Sequence, residues 1–123
     1  MYDKEIVLDI LENMIDATQK ILYRNRDIKS INDYLKDDNT LMLLDSLCMQ
    51  LIAIGEAVKK IDKETNSELL KDYSQIPWRE VAGMRDIISH HYFDLNAEIV
   101  FEVTTEHIEP LQNVLKEIVN NIS

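Results

Sequence analysis

"LMLLDSLCMQLIAIGEAVKKI", residues 41 to 61, carries the longest helical period in the chain. Leu44, Leu47, Cys48, Leu51, Ile54, Val58 and Ile61 recur at steps of three and four, the spacing of one helix face rather than of a strand. A helix of about six turns is expected from Thr40 onward. Gly55 falls on its apolar side. A glycine inside a helix costs roughly 1 kcal/mol against alanine, so its placement there suggests that a second helix approaches closely. Glu56 comes directly after it and reads as an ordinary exposed glutamate.

Outward from this helix the chain alternates between apolar periods and polar connectors. Ile6, Ile10, Met14, Ala17 and Ile21 make a first apolar stripe, with Val7, Leu11 and Leu22 beside it. Residues 24 to 39 are polar and turn-prone, with one short helical turn expected around Ile31 to Leu35. Residues 62 to 75 read as a loop with a turn of helix. "IPW" (76 to 78) then signals a third helix from Pro77 to about His90, because proline in the first turn forfeits no needed donor. Asp94 or Asn96 can cap the next helix. Ile99, Val100, Val103, Leu111, Val114, Leu115 and Ile118 mark a last helical region that Pro110 should break or kink. The fold class is all-α, a four- to five-helix up-and-down bundle.

Composition narrows the function. The 123 residues suffice for one domain with a real core, and two glycines and two prolines disfavour a turn-rich β fold. A net charge of −10 argues against broad, sequence-blind nucleic-acid binding, so any RNA contact must be local. Half of that charge lies in residues 94 to 123, where Glu98, Glu102 and Glu106 at steps of four read as a solvated face or a docking face for a basic partner. Arg24, Arg26, Lys59, Lys60 and Arg79 are candidates for a local positive patch. Cys48 is the lone cysteine, which rules out an intramolecular disulfide, fits a reducing compartment and reads as core. The apolar stretch from Leu41 to Val58 is interrupted by Asp45, Gln50 and Glu56, and the start has no basic region leading into an apolar run. No membrane association and a cytoplasmic location are expected.

Chemistry concentrates in "MRDIISHHYFDLN", residues 84 to 96. On a helical wheel Val81, Met84, Ile87, Ile88 and Leu95 share one arc, the expected core side. Arg85, Ser89 and Tyr92 lie together on another face, with Asp86 and His90 beyond them. His91 would enter the apolar arc if the helix continued, which favours a helix end near His90. Asp86, four residues before His90, is within reach of its ring N–H, and His90 is a candidate general acid or base. Arg85 offers a charged fork for phosphate oxygens and for the charge of a phosphorane. Together they suit metal-free RNA cleavage by the substrate's own 2′-hydroxyl. One difficulty is that Arg85 and His90 lie about 140° apart on a straight helix. Either the arginine sweeps round, the helix unwinds, or two chains bring their third helices together. His90, His91 and His107 match no metal-ligand spacing, so neither a metal nor a cofactor is expected.

"RDIISHHY" (85 to 92) has the form R-x4-H-x-Y. With "IGEAVKKI" (54 to 61), "IPWREVAGMRD" (76 to 86) and "HYFDLNAEIVFEV" (91 to 103), it resembles the HepT-like branch of the HEPN superfamily over about Ile6 to Leu115. The resemblance implies a single HEPN-like helical domain over residues 1–123 and a homodimer with the polar motif at the dimer cleft. The implied activity is that of a metal-independent endoribonuclease toxin in a type VII-like toxin–antitoxin pair. It also implies a minimal nucleotidyltransferase antitoxin of the MntA kind, which transfers AMP to the motif tyrosine and can join a higher assembly. By position Arg85 and His90 would be catalytic, Asp86 would support them and Tyr92 would accept AMP. Many relatives carry asparagine at the place of Asp86 and glycine at that of Asp94. Two other readings compete. One is a non-catalytic nucleotide- or partner-binding subunit of a nucleotidyltransferase complex, and the other is a purely structural helical dimer.

Overall fold

The computed structural model describes residues 2–90 and 97–123. Five α-helices carry the fold: α1 (Lys4–Arg24), α2 (Asp38–Thr65), α3 (Trp78–His90), α4 (Ala97–Glu102) and α5 (Ile108–Ile122). No strand occurs among the described residues, in agreement with the all-α reading. Helix α2 packs against both α1 and α3, and α5 lies on α1.

The α2 stripe is buried as its period predicts, with Leu44, Leu47, Cys48, Leu51, Ile54, Gly55, Val58 and Ile61 all inside. The helix is longer than expected at both ends. Asp37 caps it by accepting from the Thr40 amide at 2.9 Å, while Thr40 Oγ1 accepts from the Asp37 amide at 3.1 Å, so helix begins at Asp38. It ends at Thr65 where Asn66 takes the left-handed conformation at φ 56°, a turn that asparagine tolerates well. Helix α2 is long and apolar enough to span a bilayer by composition alone, with a mean hydropathy of 1.7 over its most apolar 18 residues. Only 39% of that window is buried, and Met42 and Met49 remain exposed.

Three expected apolar positions shift. In α1 the buried set is Val7, Leu11, Met14, Ala17, Thr18 and Ile21, while Ile6 is 43% exposed. Each step of four residues overshoots a turn by about 40°, so two such steps from Ile6 leave it about 80° from Met14, whereas Val7 sits nearly above it. In α3 only Ile88 is buried; Val81 and Met84 are partly buried and Ile87, at the edge of the expected arc, is 44% exposed. Likewise Val100 rather than Ile99 enters the core.

The connector forms a 3-10 turn over Ile31–Leu35, as expected, and seats Tyr34 fully inside. A second 3-10 turn, Leu70–Asp72, precedes α3, whose start is fixed by Trp78 Nε1 donating to the Tyr73 carbonyl at 2.9 Å. The break expected near Pro110 falls earlier. Val103–His107 is a π-helical turn, and Pro110 sits in the first turn of α5. With no N–H to give, Pro110 leaves the Glu106 carbonyl without its α-helical donor, and the wider turn lies just before that point.

Buried polar groups join the elements. Tyr34 Oη donates to Asn25 Oδ1 at 2.7 Å, and Asn25 Nδ2 donates to Thr104 Oγ1 in the π turn at 3.1 Å. Gln112 of α5 donates to Thr18 Oγ1 of α1 at 3.1 Å. Among the described residues no buried side-chain nitrogen or oxygen lacks a partner, as native interiors require.

Candidate active site

The site arises from the way α2 meets α3. A Cβ on Gly55 would stand 3.0 Å from the Val81 carbonyl oxygen, 3.2 Å from that of Ala82 and 3.3 Å from the Arg85 amide nitrogen. These are backbone atoms that cannot swing aside, so the absent side chain is what allows the crossing. The close approach expected from the sequence is therefore present, and its partner is the helix that carries the R-x4-H motif.

The crossing brings Glu56, one residue on, to the arginine. Arg85 Nε lies 3.0 Å from Glu56 Oε1, and Arg85 Nη1 donates to Asp86 Oδ1 at 3.1 Å. Lys59, almost one turn further along α2, places Nζ 4.0 Å from the same Asp86 oxygen. Two carboxylates and two cations are thus held in one half-exposed array with no net charge. The Arg85 hydrogen bond, and after it the charge of Lys59, holds the Asp86 carboxyl below the usual carboxylate range, and His90 contributes more weakly. Asp86 therefore stays ionised well into the acid range.

His90 is the exposed last residue described on α3. Among the described residues no hydrogen bond or ion pair joins it to Arg85 or to Asp86; the carboxylate expected to orient its ring engages Arg85 and Lys59 instead. Arg85 leans toward α2, so the angular separation seen on the wheel persists. Tyr92, the expected AMP acceptor, lies outside the described residues, as do His91, Asp94, Leu95 and Asn96.

Glu56 is the partner that the sequence alone did not reveal, and Lys59 stood out there only as one of several patch candidates. A signal was present: if Gly55 marks a helix crossing, its neighbour must flank the crossing. Two of the other patch candidates have partners away from this array. Arg24 donates to Ser46, and Arg26 stacks over Tyr23 with its guanidinium carbon 4.0 Å from the ring centroid.

Away from this array, Val81 and Met84 of α3 join Ile99 and Val103 in lining an open, mainly apolar groove of about 350 Å³. Glu102, Glu106 and His107 bring potential metal-ligand atoms within 4.8 Å of one another, all on exposed side chains. The π turn produces that grouping, which spacing along a regular helix does not predict.

An all-α bundle that presents arginine and histidine at R-x4-H spacing on one helix defines a class, the HEPN type of helical ribonuclease. Residues 24–118 match the family model described as "Ribonuclease HepT-like", and the chain belongs to the HepT-like family. It is 35% identical to "Putative RNase TTE0752" of Caldanaerobacter subterraneus over 88% of this chain and 89% of that protein. It is 33% identical to "Putative RNase MJ0127" of Methanocaldococcus jannaschii over 94% of this chain and 83% of that protein. The identity to "Probable ribonuclease HepT" of Thermococcus cleftensis is 30%, over 89% of this chain and 93% of that protein. No solved structure matches the chain at a comparable level of significance.

Proposed function

We propose that this protein is a metal-independent endoribonuclease, the toxin of a type VII-like toxin–antitoxin pair. The carrying observation is that Arg85 and His90 stand on one helix of a HepT-like bundle with both side chains reachable from solvent. In the proposed reaction the 2′-hydroxyl of RNA attacks the adjacent phosphorus while its proton passes to a general base. The 5′-oxygen leaves with a proton from a general acid, giving a 2′,3′-cyclic phosphate and a 5′-hydroxyl. His90 supplies the proton transfers, and Arg85 stabilises the extra charge of the phosphorane. Acid–base help of this kind is worth about 10² to 10⁴ in rate.

One histidine cannot easily serve both oxygens at once, and Arg85 and His90 diverge on a single α3. Two copies facing each other would supply two histidines to one cleft. Surface features support a second copy. Among the described residues nothing lies within 4 Å of a Cβ added at Gly83, yet it occupies the middle of α3, and Ile87, one turn on, is 44% exposed. A helix-weakening glycine that packs against none of the described residues fits close packing against another chain. Tyr92 belongs to the same R-x4-H-x-Y motif as Arg85, and AMP transferred to it by an MntA-like nucleotidyltransferase would add bulk and negative charge to the motif and block RNA.

The test is incubation of purified, unmodified protein with cellular RNA, beside His90→Ala and Arg85→Ala. The parent should give discrete fragments and each variant should give none, with unchanged helix content by circular dichroism. One observation favours a second reading, a non-catalytic subunit of a nucleotidyltransferase complex: Glu56 and Asp86 already neutralise the cations of the array. No cleavage by any of the three proteins, together with binding of the nucleotidyltransferase, would support that reading.

A further inference from the structure

We infer that Glu56 is a positioning residue for Arg85 in the RNA cleavage proposed above, an inference that rests on that reading. Three observations meet at this residue. Gly55 lets α2 close on α3 until a Cβ would stand 3.3 Å from the Arg85 amide nitrogen, so the root of the arginine is fixed against the neighbouring helix. Glu56 Oε1 then lies 3.0 Å from Arg85 Nε, the guanidinium nitrogen nearest the backbone. Asp86 takes Nη1 at 3.1 Å. The guanidinium is therefore held at its inner nitrogen by one helix and at one outer nitrogen by its own, which fixes the orientation in which it would meet a phosphate oxygen. An arginine free at Nε would sample several rotamers. Fixing it before substrate arrives removes that ordering cost from the reaction itself.

The positioning role and its simplest rival differ in the sign of their effect. If Glu56 merely occupies the arginine, removing its carboxylate should favour an anionic substrate and raise cleavage. If Glu56 aims the arginine, removal should slow the chemical step even as the substrate binds as well as before or better.

Steady-state cleavage of a short RNA by the parent, Glu56→Ala, Glu56→Gln and His90→Ala, with melting temperatures recorded in parallel, reads this out. Glu56→Ala should lower kcat about 10- to 100-fold with KM unchanged or reduced, the size of effect a displaced catalytic group produces. Glu56→Gln, which keeps an oxygen at that place without the charge, should fall between Glu56→Ala and the parent, and it serves as the test if the alanine variant does not fold. A kcat within about twofold of the parent, or above it, in a folded variant overturns the positioning role while leaving the ribonuclease reading intact. Absence of cleavage by the parent overturns both.

Discussion

The two glycines of the chain do opposite things at the scale of single residues. At Gly55 any side chain would press on the Val81 carbonyl oxygen at 3.0 Å, so Gly55→Ala should destabilise the protein by about 1 to 3 kcal/mol, as overpacking of an interior does. A urea titration checks this through a lowered midpoint at unchanged slope. Among the described residues Gly83 has open space around it, and Gly83→Ala should stabilise the isolated chain by about 0.4 to 1 kcal/mol through the entropy of the unfolded state. If a second copy packs over that face, the same substitution should weaken dimerisation in sedimentation equilibrium even as it strengthens the monomer. A dimer constant equal to the parent's would remove Gly83 from the interface. Glu56 shows what single-sequence reading cannot weigh. Nothing in the period of α2 distinguishes a glutamate facing water from one facing Arg85, and only the crossing at the preceding glycine separates them.

Among the elements, the π turn Val103–His107 depends on Thr104. Its hydroxyl accepts from Asn25 Nδ2 at 3.1 Å and donates to the Val100 carbonyl at 2.8 Å, and the whole group is buried. Thr104→Val should strand the Asn25 amide inside the bundle and cost about 1 to 3 kcal/mol, whereas Thr104→Ser keeps the bond and should lose much less. Thermal melts of the two variants check the difference. The sequence showed a helical region with a disturbance at Pro110, and that much was legible because proline has one well-defined effect on a helix. It did not show that the disturbance lies before the proline, because the wide turn is fixed by Asn25 and Tyr34, more than 60 residues away in the chain. The α2 stripe was legible in full, since its seven apolar positions keep one face for about six turns. In α1 the wrong neighbouring stripe was favoured at its start because Ile6 and Val7 are both apolar, and only helix rotation decides which one faces inward.

Over the whole molecule, a single core shields Cys48, which is 1% exposed. Burial, and after it the charge of Asp45, pushes its thiol up from an ordinary value of 9.0 to about 11. The folded protein thus holds this proton more tightly than the unfolded chain. The corresponding stability is fully present below pH 9, and it falls as pH rises toward about 11. Urea midpoints should drop further between about pH 8 and pH 11 for the parent than for Cys48→Ala, since that variant lacks the thiol; equal drops would show that the thiol does not contribute. The chain's charge of −10 bears on the proposed activity, because under that reading RNA would approach an acidic protein and would have to be held locally. If Arg85 and His90 cleave RNA through its own 2′-hydroxyl, the reaction needs no metal and leaves a distinctive pair of ends. Cleavage of a short RNA in the presence of EDTA, with the product ends identified by mass spectrometry, examines both at once. Undiminished cleavage is expected, with a 2′,3′-cyclic phosphate on the upstream fragment and no cut where the scissile nucleotide is 2′-deoxy. Loss of cleavage in EDTA, or a 3′-hydroxyl with a 5′-phosphate, would contradict that chemistry.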